Sequence, residues 1–272
     1  MTSMTDPGYA QTRQPLGVGR LLGDSLSILF RRFVTVFLIC ILPIAVSLGA
    51  SSMWLGWKAA LGLEEPDPNM FIEADSSLWI RFAFMLLVQF AIYGITTALL
   101  VQLAYDVKLG RARSIGAYFG PALRSAAPIV ILMSVVMILV GFGTAALIIP
   151  GLWIFAVFYV TTPVIVIERA GFRAMGRSAK LTKGYRWPIV GLFVLLSVVV
   201  FMISFAVTFV AGSAAYATEG TGALSVAIVL LITSIMQTAF FGLSSIVNAL
   251  VFARLKEVKE GIGVDQLAEV FD

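Results

Sequence analysis

Residues 188 to 211 read P-I-V-G-L-F-V-L-L-S-V-V-V-F-M-I-S-F-A-V-T-F-V-A, 24 positions without one charged side chain. A hydrocarbon core of about 30 Å asks for about 20 apolar residues in a helix rising 1.5 Å each, so this run is long enough to cross a bilayer. Five further apolar runs lie at about 33 to 55, 79 to 104, 128 to 149, 152 to 168 and 223 to 252. They are continuous rather than alternating in strands of about 10 residues, which selects helices over a barrel. Composition agrees: 60% of the 272 residues are apolar and 12% are charged, roughly half the charge of a soluble domain. The expected fold class is an all-α membrane protein with six transmembrane helices. The fourth run is the weakest, because it is short and contains Pro163; it is expected to be kinked, or paired with the third as an incomplete hairpin. Pro150 and Gly151 are expected to supply the turn between them.

Orientation follows from the positive charges. The first 20 residues are polar and no short apolar region with a cleavage site follows them, so the first span is expected to be retained. This gives a flexible N-terminus over 1–18, a membrane domain over 19–260 and a short tail over 261–272. Sorting the segments between runs alternately puts 17 Lys and Arg against nine acidic residues on the side holding both termini, a net +8; the other side has two, Lys58 and Arg81, against six, a net −4. By the positive-inside rule both termini are expected in the cytoplasm, with Leu61 to Ser77 facing outward. The overall charge of +4 is then topological. It implies contact with anionic lipid rather than nucleic acid.

A short amphipathic stretch precedes each pair of runs on the basic side. In the first, Arg20, Asp24, Ser27 and Arg31 share one helical face and Leu22, Leu26, Leu29 and Phe33 another, the pattern of a helix lying in the interface. The second, Ser114 to Ala126, lines up Ile115, Tyr118, Phe119, Ala122, Leu123 and Ala126, with a bend expected at Pro121. The third, Gly171 to Gly184, sets Arg173, Arg177 and Lys180 against Phe172, Met175 and Ala179, with Gly184 as its stop and Gly176 as a weak point. The expected unit is an elbow helix plus a membrane hairpin, used three times. The hairpins start at unequal intervals, near 33, 128 and 188, so the alternative is that interfacial helices simply precede many spans. The sixth run is too long for the core alone. From about Ile246 it should continue inward through Arg254, Lys256 and Lys259 and stop near Gly261, with a short helix begun by Asp265.

The chain has no histidine and one cysteine, Cys40. Catalytic triads, His-based or Cys-rich metal sites and intrachain disulfides are thereby excluded, and neither an enzyme nor a metal or organic cofactor is expected. No run has an ionisable residue near its centre, which argues against a proton- or ion-coupled transporter. Asp24 and Glu168, the carboxylates best placed for interfacial chemistry, read more simply as partners of adjacent arginines. Gln89, Gln102, Gln237 and Asn248 are the intramembrane polar candidates. They line a groove on one reading and make interhelical hydrogen bonds on the other. Small residues four apart, Ala45 with Gly49 and Gly94 with Ala98, read as close helix packing.

The most distinctive stretch is E-R-A-G-F-R-A-M-G-R-S-A-K-L-T-K-G-Y-R-W at 168–187. Arg173, Arg177, Lys180, Lys183 and Arg186 form a candidate site for lipid headgroups; the alternative is a positive-inside loop anchored by Tyr185 and Trp187. Together with I-P-G-L-W at 149–153, P-V-I-V-I-E at 163–168 and A-R-L-K-E-V-K-E-G at 253–261, it resembles the YciC-like bacterial integral membrane family. That group is related to the membrane domain of some glycerophosphoryl diester phosphodiesterases. The resemblance implies a six-span protein of the bacterial plasma (inner) membrane. It does not carry over the phosphodiesterase activity, whose separate catalytic domain uses histidines that this chain lacks. The expected role is a non-enzymatic scaffold or accessory subunit contacting anionic lipids on its cytoplasmic face, within a homo-oligomer or membrane protein complex. The alternative is a lipid or amphiphile translocator, for which Gln89, Gln102, Gln237 and Asn248 should converge on one open cavity.

Overall fold

The computed structural model describes residues 16–60, 64–65, 76–111, 113–217 and 223–261. The described residues form helices and no strands: α1 (Val18–Arg31), α2 (Phe33–Leu55), α3 (Trp57–Ala60), α4 (Ser76–Lys108), α5 (Ile115–Arg124), α6 (Ala126–Ala146), α7 (Ile148–Phe158), α8 (Thr161–Val166), α9 (Ala174–Thr182, led in by a 3-10 turn at Gly171–Arg173), α10 (Arg186–Ala217) and α11 (Ala223–Glu260). Among them are six helical segments long and apolar enough to cross a membrane: α2, α4, α6, α7 with α8, α10 and α11. At 1.5 Å per residue α11 is about 57 Å long, so its last turns run past any bilayer core. It stops where the sequence places the stop, with Gly261 at φ 68°. The expected helix at Asp265 and most of the Leu61 to Ser77 loop lie outside the described residues.

The helices group as three units of elbow, first span and second span: α1–α2–α4, α5–α6–α7/α8 and α9–α10–α11. Their packing is cyclic. The elbow and first span of each unit lie on the second span of the unit before it: α1 and α2 on α11, α5 and α6 on α4, α9 and α10 on α7, with α9 also on α8. The second spans α4, α8 and α11 meet one another in the middle. Each unit thus covers an apolar face that its own hairpin leaves open. The core follows from this arrangement. Leu100, Val101 and Ala104 of α4, Val164 and Ile165 of α8, and Ile246, Leu250, Phe252 and Leu255 of α11 are all buried. Toward the other end, Phe84 and Leu87 of α4 and Phe201, Phe205 and Phe209 of α10 point outward, as side chains against lipid do.

One local expectation is corrected. The turn between the third and fourth spans is at Leu147, whose extended backbone (φ −163°, ψ 148°) separates α6 from α7. Pro150 and Gly151 sit inside the first turn of α7, where a proline has no helical N–H bond to lose. Gly151 serves packing instead: a Cβ there would lie 2.0 Å from the Thr144 hydroxyl oxygen and 2.8 Å from its backbone nitrogen. In α1 the buried face is Leu21, Ser25, Ile28 and Leu29, whereas Leu26 is exposed. Of the expected interfacial stripe, Leu29 is buried in the bundle, Leu22 and Phe33 are half-buried and Leu26 is exposed. Pro121 stays within α5. Gly94 bears out its packing role, since a Cβ would lie 2.7 Å from Ile129; a Cβ at Gly49 would meet no other part of the described chain within 4 Å.

The fourth span is broken at Tyr159–Val160. Pro163 has no N–H to give the carbonyl of Tyr159, four residues earlier. Asn248 of α11 supplies the missing donor, its side-chain nitrogen 2.7 Å from that oxygen. The neighbouring Val157 carbonyl accepts from the hydroxyls of Ser178 and Thr182, each at 3.0 Å. The kink thereby fixes α9 and α11 against the fourth span.

Candidate functional site at the basic end

The elbows and the ends of the three second spans gather at one end of the bundle. Each second span leaves through a left-handed residue: Gly110 at φ 70°, Gly261 at φ 68° and Arg169 at φ 53°, the only non-glycine with positive φ among the described residues. Acidic side chains crowd these exits, with Asp106 in the last turns of α4, Glu168 just past α8, and Glu257 and Glu260 at the end of α11. A carboxylate at a helix C-terminus faces the negative end of the dipole and needs a cation beside it.

Each has one. Glu168 takes both arms of Arg177, at 2.9 Å to each oxygen, and lies 3.4 Å from Lys256. Arg177 also pairs with Glu260, so one guanidinium ties the α8 exit and the α9 elbow to α11. Burial pushes the Glu168 carboxyl up, but the bonds and charges of Arg177 and Lys256 outweigh it and hold the group below its ordinary value. The bond to Glu168 raises Arg177 against the opposing effect of burial, with Glu260 adding to the rise. Asp106 lies 3.3 Å from Arg113. Burial, and then the Asp106 charge and hydrogen bond, push the Tyr118 hydroxyl up to about 12, so it stays protonated and donates to Asp106. Lys108 reaches Asp24 at 3.1 Å, linking α4 to α1.

Between α4, α5 and the stretch after α8 is a cavity of about 710 Å³. Arg111, Arg113, Arg169 and Lys256 line it against one carboxylate, Asp106, with Gln102 and Tyr105 on the wall. A smaller cavity of about 240 Å³ adjoins it across Pro121, Val166 and Arg169, and Arg124 enters there.

The five basic candidates from the sequence separate. Arg177 faces inward to carboxylates. Arg186 lies with its guanidinium 5.3 Å from the centre of the Trp153 ring. Arg173, Lys180 and Lys183 are exposed, and the Lys180 and Lys183 carbonyls accept from Lys259. The four intramembrane candidates are also dispersed. Gln102 donates to the carbonyls of Ala98 and Tyr118, Asn248 serves the kink, Gln89 has a buried oxygen without a partner, and Gln237 is exposed. Of these four, the larger cavity is lined only by Gln102. The cluster of Arg111, Arg113, Arg169 and Lys256 was read from the sequence only as topological charge. The carboxylates at helix ends, each demanding a cation, are a signal that could have found Arg113 and Lys256; they do not mark Arg169.

No protein-family model matches the chain, and neither does any curated protein or solved structure. The functional reading therefore rests on the residues just described.

Proposed function

We propose that this chain is a non-enzymatic, multi-pass plasma-membrane protein, a scaffold or accessory subunit whose basic end faces the cytoplasm and rests on anionic lipid headgroups. The observation that carries this reading is the repeated construction of the elbows. Each sets outward apolar side chains beside exposed cations: Phe30 with Arg31 and Arg32, Phe119 and Leu123 with Arg124, and Phe172 with Arg173, Lys180 and Lys183. Apolar groups at that level can enter the acyl boundary while the cations meet phosphate. The motifs that resemble the YciC-like family agree with a bacterial inner-membrane location.

The test is lipid retention. Arg173→Gln, Lys180→Gln and Lys183→Gln are combined, leaving Arg177 in its ion pairs, and lipids copurifying with the protein are counted by mass spectrometry. Each cation contributes up to about 1 kcal/mol, about fivefold in binding. Phosphatidylglycerol and cardiolipin should fall by about that factor while helical content is unchanged. Unaltered anionic lipid in the triple variant would contradict the reading and leave these residues a topological role alone.

A further inference from the structure

We propose that the larger cavity binds a phosphate group, as the phosphodiester of an anionic lipid headgroup or as free phosphate, and that Arg169 is its principal ligand. The proposal rests on the reading that the basic end meets headgroups. It goes further in naming one open cavity between α4, α5 and the stretch after α8 as the site.

Three observations converge on Arg169. First, the cavity has the size of a small-ligand site, about 710 Å³, and presents four cationic side chains to one carboxylate. Leu109, Pro121, Val166 and Ile167 supply an apolar wall that suits the glycerol and upper acyl chain of a lipid. Second, two of the other cations already face carboxylates, Arg113 that of Asp106 and Lys256 that of Glu168. Arg169 is exposed and makes no salt bridge among the described residues, and it borders both cavities. Third, Arg169 occupies the left-handed exit position that glycine fills in the other two units. A side chain there strains the backbone and glycine does not. Keeping arginine costs stability, which is explained if the guanidinium performs a task. A guanidinium fork matches phosphate oxygens two at a time, which an ammonium does not.

The strain makes the test decisive, because Arg169→Gly should remove the ligand while relaxing the fold. Full-length protein in nanodiscs of neutral phosphatidylcholine is titrated with phosphatidylglycerol and, separately, with inorganic phosphate. Wild type should bind one tight equivalent of at least one probe. Arg169→Gly should weaken it by about tenfold, the low end for a charged hydrogen bond, with thermal stability equal to or above wild type. Arg169→Gln, which keeps the strained backbone, should lose binding equally. Tight phosphatidylglycerol binding that inorganic phosphate does not displace identifies a lipid headgroup; displacement by phosphate identifies the free anion. Wild-type affinity in both variants would overturn the proposal, as would the absence of a tight equivalent for either probe. If these variants bind normally while the elbow triple variant loses lipid, the cavity inference fails and the elbow reading stands.

Discussion

Replacing Glu168 by glutamine tests the ion cluster that closes the basic end. The side chain keeps its shape and loses its charge, so the bidentate bond to Arg177 and the contact with Lys256 weaken together. Glu168 is 15% exposed and Lys256 17%, which places both in a partly desolvated setting where hydrogen bonds to charged groups are worth about 1.5–3 kcal/mol each. Arg177 retains Glu260, and the glutamine oxygen still accepts one bond. The net loss should therefore be about 2 kcal/mol. Helix loss on titration with a denaturing detergent, followed by circular dichroism, measures it. Acid provides a second reading. Arg177 and Lys256 hold the folded carboxyl below its ordinary value, so its contribution is complete above the unfolded value of about 4.3 and is lost as pH falls through the lower folded value. The gap between wild type and variant should be constant above the unfolded value and close as pH falls through the lower folded value, where a protonated Glu168 resembles glutamine. Equal stability at pH 7, or a gap that persists in acid, would refute the role assigned to this carboxylate.

Gly151→Ala should destabilise by about 1–3 kcal/mol, the usual cost of overpacking, because the new methyl meets the Thr144 backbone; Gly141→Ala, with open space around it, is the matched control in the same unfolding assay. Asn248→Ala should cost about 1 kcal/mol by leaving the Tyr159 carbonyl without its donor, and much less when combined with Pro163→Ala, which restores a backbone N–H four residues on. A cysteine placed at Asn69 in a Cys40→Ser background should react with an impermeant reagent in intact cells; reaction only after lysis would invert the proposed topology.

The spans were legible because apolar length is a local property: 24 uncharged residues in a row admit few other readings. The break in the fourth span was equally local, since Pro163 removes a donor wherever it sits in a helix. The cyclic packing was not legible. Which span covers which depends on faces that are apolar all round, and such helices carry no stripe to identify their neighbours. Glu168 was recognisable as an arginine partner. That the arginine would be Arg177, and that Lys256 and Glu260 would join it from far along the chain, needed α11 to be placed against α9. Arg169 was hidden for another reason, since its distinction lies in a backbone angle. Nothing in the residue type announces that it stands where two other units have glycine.

If the three elbows seat in the headgroup layer, as proposed, a depth measurement will find them there. Spin labels placed singly at Phe30, Phe119 and Phe172 in the Cys40→Ser background, in bilayers containing phosphatidylglycerol, report depth through the ratio of their accessibility to oxygen and to a water-soluble nickel complex. All three should lie at the headgroup–acyl boundary, within about 5–10 Å of the phosphate level, and at the same depth as one another. Labels that are accessible to nickel as in bulk water, or that sit at three unrelated depths, would contradict the account.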